Sequence, residues 1–164
     1  MLSTFIIENF AVVRIVLVVA LLATIVLAYF LARAPRRGRR ISVIITGVAL
    51  AAVVGLTLTP DTYPLDVAIC NFQSYTPFGD YLNIALFLLP AIFGVIATRK
   101  PLLVLAAGIG FSAFIELLQY LVPWFGRRCD VDDWLANSLG TLIGVAIGAA
   151  VLWVARRRTA RDSA

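Results

Sequence analysis

The chain contains no histidine and few charged residues, which make up 14% of its 164 residues. Without histidine, neither imidazole acid–base catalysis nor a histidine-ligated metal site is available to it. The charged fraction is well below the roughly one quarter that is usual in soluble domains, whereas 62% of the residues are hydrophobic. Since a soluble chain of this length cannot bury so much apolar surface, the composition indicates a single membrane domain.

We also expect no cleavable signal peptide. The start of the sequence lacks a basic leader, carries Glu8 and runs into an apolar stretch that is too long for a signal peptide. The 14 lysine and arginine residues stand in short clusters between apolar segments. This distribution is typical of topology signals in membrane proteins, so nucleic acid is not an expected partner.

Five segments are apolar over about the 20 residues that are needed to cross a hydrocarbon core of about 30 Å. They predict helices at about residues 10–32, 41–59, 82–98, 102–122 and 131–155. Residues 33–40 are predicted to form a basic loop, and the interval 61–81 is too polar to span a bilayer. The sequence therefore predicts an all-α membrane protein, a compact bundle of about five transmembrane helices in one domain.

The basic residues indicate how this bundle is oriented. The loops after the first, third and fifth helices hold five, two and four of them, whereas the loops after the second and fourth hold only Arg127 and Arg128. Cytoplasmic loops collect lysine and arginine. We therefore predict that the N-terminus lies outside and the C-terminus in the cytoplasm.

Polar and small residues in the fourth and fifth predicted helices form two stripes at helical spacing. A charged side chain at a helix centre costs about 2.5 to 3.5 kcal/mol on insertion scales, so such positions are informative. The stripe of the fourth helix consists of Gly108, Ser112, Glu116 and Gln119. The stripe of the fifth consists of Asp130, Asp133, Asn137, Gly140, Gly144 and Gly148.

The three glycines of the fifth helix form a doubled G-x-x-x-G pattern, which is typical of close helix packing. Because the loop before this helix is short, we expect the fourth helix to be the partner of Gly140, Gly144 and Gly148. That packing would bring the polar residues of the two stripes together near the outer surface. Asn83 of the third helix is predicted to lie at the same level.

Glu116 needs a compensating group, because a carboxylate inside the membrane requires a cation, a proton or several hydrogen-bond donors. Arg127 or Arg128, folding back from the following loop, is the expected counter-charge. The alternative is that both arginines are ordinary anchors at the membrane interface.

The other polar residues of the stripes have structural alternatives. Asp130 and Asp133 fit the start of a helix, where one acid caps the main chain and the other faces the positive helix end. Gln119 and Asn137 fit hydrogen bonds between helices. The sequence leaves the functional and the structural interpretations open.

Cys70 and Cys129 lie in the two loops that we assign to the outside. Thiols in an oxidising compartment often pair, so a possible disulfide and two unpaired thiols are the alternatives. A disulfide would tie the long second loop to the loop that carries the acids. The spacing of the cysteines matches no common ligand pattern, and we expect neither a metal nor a cofactor.

Four motifs between residues 83 and 148 resemble the VanZ-like family of bacterial membrane proteins. They are Asn83-Ile-Ala-Leu-Phe-Leu-Leu-Pro90, Glu116-Leu-Leu-Gln119, Arg127-Arg-Cys-Asp130-Val-Asp-Asp133 and Asn137-Ser-Leu-Gly140-Thr-Leu-Ile-Gly144. The resemblance implies a multi-pass protein of the bacterial cytoplasmic membrane and cell envelope. The founding members are associated with reduced susceptibility to the glycopeptide teicoplanin, but the resemblance implies no reaction.

We favour a non-enzymatic envelope protein whose outer polar pocket binds a lipid head group, a lipid-linked wall precursor or a protein partner. The expected pocket residues are Asn83, Glu116, Gln119, Arg127, Asp130, Asp133 and Asn137. One alternative is a membrane enzyme that uses the carboxylates as acid and base on a lipid-linked substrate. Another is a transport or proton-relay subunit in which Glu116 titrates, and which would require oligomers.

Overall fold

The computed structural model of the chain describes residues 10–61, 63, 65–73 and 81–162. The helices are α1 (Phe10–Arg33), α2 (Pro35–Leu58), α3 (Tyr81–Thr98), α4 (Pro101–Leu121) and α5 (Val131–Asp162). Two-residue strands, β1 (Cys70–Asn71) and β2 (Cys129–Asp130), pair with each other, and a 3-10 turn covers Pro123–Phe125. Each of these five helices is long and apolar enough to cross a membrane, which confirms the predicted helical membrane bundle.

One end of the bundle holds the disulfide-bonded loops, and the other holds most of the arginines. We call one the disulfide end, because it holds β1, β2 and the loops that follow α2 and α4. We call the other the arginine end, because it holds the α1–α2 and α3–α4 junctions and the C-terminal turns of α5, where most of the arginines lie.

The predicted basic loop over residues 33–40 is wrong, because α2 already begins at Pro35 and only Ala34 separates it from α1. Proline suits the first position of a helix, and arginine is a good helix former. A hydropathy profile reports the part of a helix that lies in hydrocarbon, and it does not show where the helix continues into the interface. The turn is tight, since Gly38 lies directly against the main-chain carbonyl of Leu31.

The helix α5 is also longer than predicted at its C-terminal end. It continues past residue 155, through Arg156–Arg157–Arg158, to Asp162. The guanidinium of Arg157 lies 3.8 Å from the centre of the Trp153 ring, one turn earlier. This cation–π contact fits a helix that leaves the apolar region with its basic residues still in helical conformation.

The central helix of the bundle is α3. Its residues 90–97 are all buried, and its main neighbours are α5 and α2. A helix that is apolar and buried on every side occupies the core of a bundle, whereas an amphipathic helix lies at the edge. The largest fully buried side chains include Phe87, Ile92 and Phe93 of this helix.

The glycines of α5 pack against α3, so the expectation that α4 is their partner is wrong. A side chain at each glycine would meet main-chain atoms of α3, at Ile84 for Gly140, Leu88 for Gly144 and Ile92 for Gly148. Thr141, the residue after Gly140, instead touches Gly108 of α4. Successive residues lie about 100° apart around a helix, so α5 presents its glycines to α3 and Thr141 to α4.

Candidate functional site

A disulfide bond between Cys70 and Cys129 joins the two loops at the disulfide end. The strands β1 and β2 pair in parallel, with Cys70 opposite Cys129 and Asn71 opposite Asp130. The side-chain amide of Asn71 donates a hydrogen bond of 3.2 Å to the Asp130 carboxylate, and the N–H of Cys129 donates one of 3.2 Å to the carbonyl of Ile69. Together these contacts hold Asp130 in place directly before α5.

Asp130 caps the start of α5. Its carboxylate accepts the main-chain N–H of Asp132 at 2.8 Å, which is the usual bond of an N-terminal cap. Asp133 lies in the first turn, where the positive end of the helix favours an acid. It also accepts a hydrogen bond of 2.7 Å from the side-chain amide of Asn83 on α3. The acids at this helix start therefore also link α5 to α3.

Glu116 lies on α4 and is only 7% exposed. One of its carboxyl oxygens accepts the main-chain N–H of Asp130 at 2.8 Å. The expected ion pair with Arg127 or Arg128 is not formed among the described residues. The carboxyl group instead ties α4 to the first residue before α5 through a main-chain donor.

Arg127 and Gln119 bond to the C-terminal end of α2. The guanidinium of Arg127 donates to the carbonyl of Thr59 at 3.4 Å, and the amide of Gln119 donates to the carbonyl of Thr57 at 3.0 Å. The last four carbonyls of a helix have no partner within it, and Thr57 is among them because α2 ends at Leu58. Both side chains thus hold the end of α2 beside the loop that joins α4 to α5.

Asn137 lies deeper in the bundle and bonds to Ser112 of α4. Its amide donates a hydrogen bond of 3.0 Å to the Ser112 hydroxyl, and both residues are buried. The hydroxyl of Thr141 donates to the carbonyl of Asn137 at 2.9 Å, within α5. This polar group links α4 to α5 inside the apolar part of the bundle, where such bonds typically join helices.

A groove of about 350 Å³ opens beside Glu116 at the disulfide end. Its polar lining residues are Glu116, Tyr120, Asp130 and Trp134. The other lining residues are apolar or belong to the disulfide: Cys70, Phe72, Ala113, Leu117, Cys129 and Val131. The indole N–H of Trp134 is buried and has no hydrogen-bond partner in the described part of the chain. The groove thus combines carboxyl acceptors with an apolar and aromatic wall.

The VanZ/LLP1 family model matches residues 15–153, which is most of the chain. The chain belongs to the VanZ/LLP1 family. The resemblance inferred from the motifs is thereby confirmed, and the matched region also includes most of α1 and all of α2. Neither a curated protein nor a solved structure matches the chain.

In this VanZ/LLP1 family protein the predicted site residues separate into two groups. Glu116 and Asp130 line the groove. The remaining ones make hydrogen bonds to other parts of the bundle and do not line the groove: Asn83, Gln119, Arg127, Asp133 and Asn137. The structure therefore brings only part of the predicted set to one cavity.

Three aromatic residues of the groove were not predicted from the sequence. Tyr120 lies four residues after Glu116 and shares its face of α4, and Trp134 lies one turn after the capping residue Asp130. That spacing was a usable signal. Phe72 belongs to a loop that the disulfide brings to the groove, so no local pattern could have found it. No cluster of three or more metal-ligating side chains occurs among the described residues.

Proposed function

We propose that this VanZ/LLP1 family protein is a non-enzymatic cell-envelope protein of the bacterial cytoplasmic membrane, and that its groove binds the head group of a lipid or a lipid-linked wall precursor. The observation that carries the proposal is the meeting of Glu116 and Trp134 in one groove beside apolar residues. Ligand sites combine mostly apolar walls with a few polar groups that orient the ligand, and this groove has that composition.

The polar groups of the groove favour a head group rich in hydroxyl or amine groups. Carboxyl oxygens accept hydrogen bonds, so Glu116 and Asp130 suit sugar hydroxyls or an ammonium, and the aromatic rings of Tyr120 and Trp134 suit the face of a sugar ring. Phosphate is less well matched, because no arginine among the described residues lines this groove and Arg127 bonds to the carbonyl of Thr59. We therefore place the sugar or amine part of the ligand at Glu116.

The position of the groove suits a ligand that stays anchored in the bilayer. Leu117 and Tyr120, which line it, are exposed on the surface of the membrane-spanning helix α4. A head group can enter sideways between lipid and protein while its chains remain in hydrocarbon. Tyrosine and tryptophan are enriched at this level of membrane proteins, where their rings meet both apolar and polar surroundings.

We assign the disulfide end to the outer side of the membrane. A disulfide between Cys70 and Cys129 is expected to persist only in an oxidising compartment. The excess of basic residues at the opposite end is consistent with a cytoplasmic location of that end. If the bound ligand is a wall precursor, an effect on glycopeptide susceptibility, as in the founding members of the family, would follow from its sequestration.

Native mass spectrometry of the gently purified protein tests this proposal. Wild type is compared with Glu116→Gln, which keeps an acceptor for the N–H of Asp130 but removes the acid, and with Asp66→Asn as the control. Asp66 is an exposed acid of the same end that does not line the groove. We expect a retained lipid or lipid-linked saccharide in wild type and in Asp66→Asn, and its loss in Glu116→Gln.

The mass of the retained molecule would identify the ligand class. If all three proteins carry no ligand, or carry the same bulk lipid, the proposal is wrong. Glu116 is then a structural link between α4 and α5, and protein partners become the alternative.

A further inference from the structure

Three arginines near the start of α2 share one face of the helix. Arg36, Arg39 and Arg40 follow at spacings of three and one, and Val43 and Ile44 continue the same face one turn later. With Pro35 these side chains line an open groove of about 540 Å³ at the arginine end. The groove is basic at the N-terminal turns of α2 and apolar towards the middle of this helix.

The arginines of this groove carry charge that no carboxylate in the described part of the chain compensates. All three are exposed, and none forms an ion pair among the described residues. Arg39 donates from its Nε to the carbonyl of Ala97, near the end of α3, at 3.1 Å. This bond fixes the direction of one guanidinium and leaves its two terminal nitrogens for a ligand.

The apolar part of the groove faces the lipid. Val43 is 55% exposed and Ile44 is 64% exposed, although both belong to a membrane-spanning helix. From Arg36 to Ile44 the helix rises by about 12 Å, at about 1.5 Å per residue. That distance covers the step from the phosphate level of a leaflet to its first chain segments, so one phospholipid can contact both parts.

We propose that this groove binds an anionic phospholipid of the leaflet at the arginine end, with its phosphate on the guanidiniums and its chains along Val43 and Ile44. Guanidinium groups bind phosphate oxygens with two parallel hydrogen bonds, which lysine cannot reproduce. The site lies at the opposite end of the bundle from Glu116, so it is independent of the groove there.

General attraction between basic residues and an anionic leaflet is the alternative that must be separated from a specific site. The chain offers a matched control in Arg156, Arg157 and Arg158, which also lie at the arginine end. They do not line this groove, and Arg157 stacks on Trp153.

The experiment exchanges the purified full chain into micelles that contain equal amounts of phosphatidylglycerol and phosphatidylethanolamine, and counts bound lipid by native mass spectrometry. The triple variant Arg36→Lys, Arg39→Lys, Arg40→Lys keeps the positive charge and thus the topology. We expect wild type to retain phosphatidylglycerol, and this variant to retain it about tenfold less (about 1.4 kcal/mol), because lysine loses the second hydrogen bond of a bidentate contact.

The control variant Arg156→Lys, Arg157→Lys, Arg158→Lys should retain as much phosphatidylglycerol as wild type. Equal losses in both triple variants, or no loss in either, would show general attraction and overturn the proposal. So would equal retention of the two lipids by wild type. Inorganic phosphate should not release the lipid, and release as effective as that by added phosphatidylglycerol would mean that the site recognises free phosphate instead.

Discussion

Glu116 shows how a membrane helix accommodates a carboxyl group without a basic partner among the described residues. Removing a polar group from water is costly unless hydrogen bonds replace the lost ones. The main-chain N–H of Asp130 supplies one such bond, and the adjoining groove leaves the carboxyl group accessible to further donors. In our proposal, a residue that is held in this way is both a structural link and a group that binds the ligand.

At Gly144 a single added methyl group tests the packing of α5 on α3. A Cβ there would lie 2.6 Å from the carbonyl oxygen of Leu88 and 2.8 Å from the Cβ of Ala91, so main-chain atoms must move. We expect Gly144→Ala to lower the free energy of unfolding by about 1 to 3 kcal/mol, as overpacking does in other cores. Unfolding in mixed micelles with increasing denaturing detergent measures this change.

The matched control for this substitution is Gly110→Ala. Gly110 also lies within a membrane-spanning helix, α4, but a Cβ there would meet nothing within 4 Å. Its unfolding free energy should stay the same or rise slightly, since alanine is the better helix former. Equal behaviour of the two variants would contradict the close approach of α5 to α3.

At the scale of the elements, the two loops of the disulfide end hold each other in place. Their covalent link spans 59 residues of sequence, and each loop also bonds to the other through the β1–β2 pair. The helices, by contrast, are each long and apolar enough to cross a bilayer, and each satisfies its main-chain hydrogen bonds within itself. We infer that the disulfide holds the loops of the groove together, whereas the helices of the bundle form in the bilayer without it.

The double variant Cys70→Ser, Cys129→Ser tests whether the disulfide holds the loops but not the helices. Its helical content by circular dichroism should equal that of wild type, while limited proteolysis within residues 65–73 should become faster. A crosslink over such a loop contributes at most about 4 kcal/mol in chain-entropy terms, and less where both ends stay anchored in the membrane. Wild type in reductant should behave in the same way, and unchanged proteolysis in both samples would contradict the inferred role.

At the scale of the whole molecule, the unequal distribution of charge between the two ends is the feature that indicates how the bundle is oriented in the membrane. Basic residues concentrate at the arginine end, and the disulfide and the Glu116 groove lie at the other. In our proposal, the first end faces the cytoplasm and the second faces outward, where the ligand would be collected.

Labelling of single cysteines checks this orientation. In the Cys70→Ser, Cys129→Ser background, Tyr63→Cys probes the disulfide end and Arg158→Cys the arginine end, and both positions are exposed. A membrane-impermeant maleimide should modify Tyr63→Cys in intact cells and Arg158→Cys only after permeabilisation. The reverse pattern would show that the predicted topology is inverted, and labelling of both in intact cells would also contradict it.

The sequence by itself determined the number of membrane-spanning helices, because apolar length is a local property that can be compared directly with the thickness of a bilayer. It also identified the family through short motifs, and the helix start at Asp130 through capping chemistry that involves only neighbouring residues. It did not show that α2 begins at Pro35, because hydropathy is insensitive to helical residues outside the hydrocarbon.

Only the tertiary structure decided which groups meet. The rotation of each helix about its axis, and the central position of α3, turned the glycines of α5 away from α4 and towards α3. The path of the loop after α4 placed a main-chain N–H, and not an arginine, beside Glu116. The disulfide brought Phe72 to a groove whose other walls, apart from Cys70 itself, lie more than 40 residues away in sequence. These contacts depend on the simultaneous packing of several helices, so no local pattern of residues contains them.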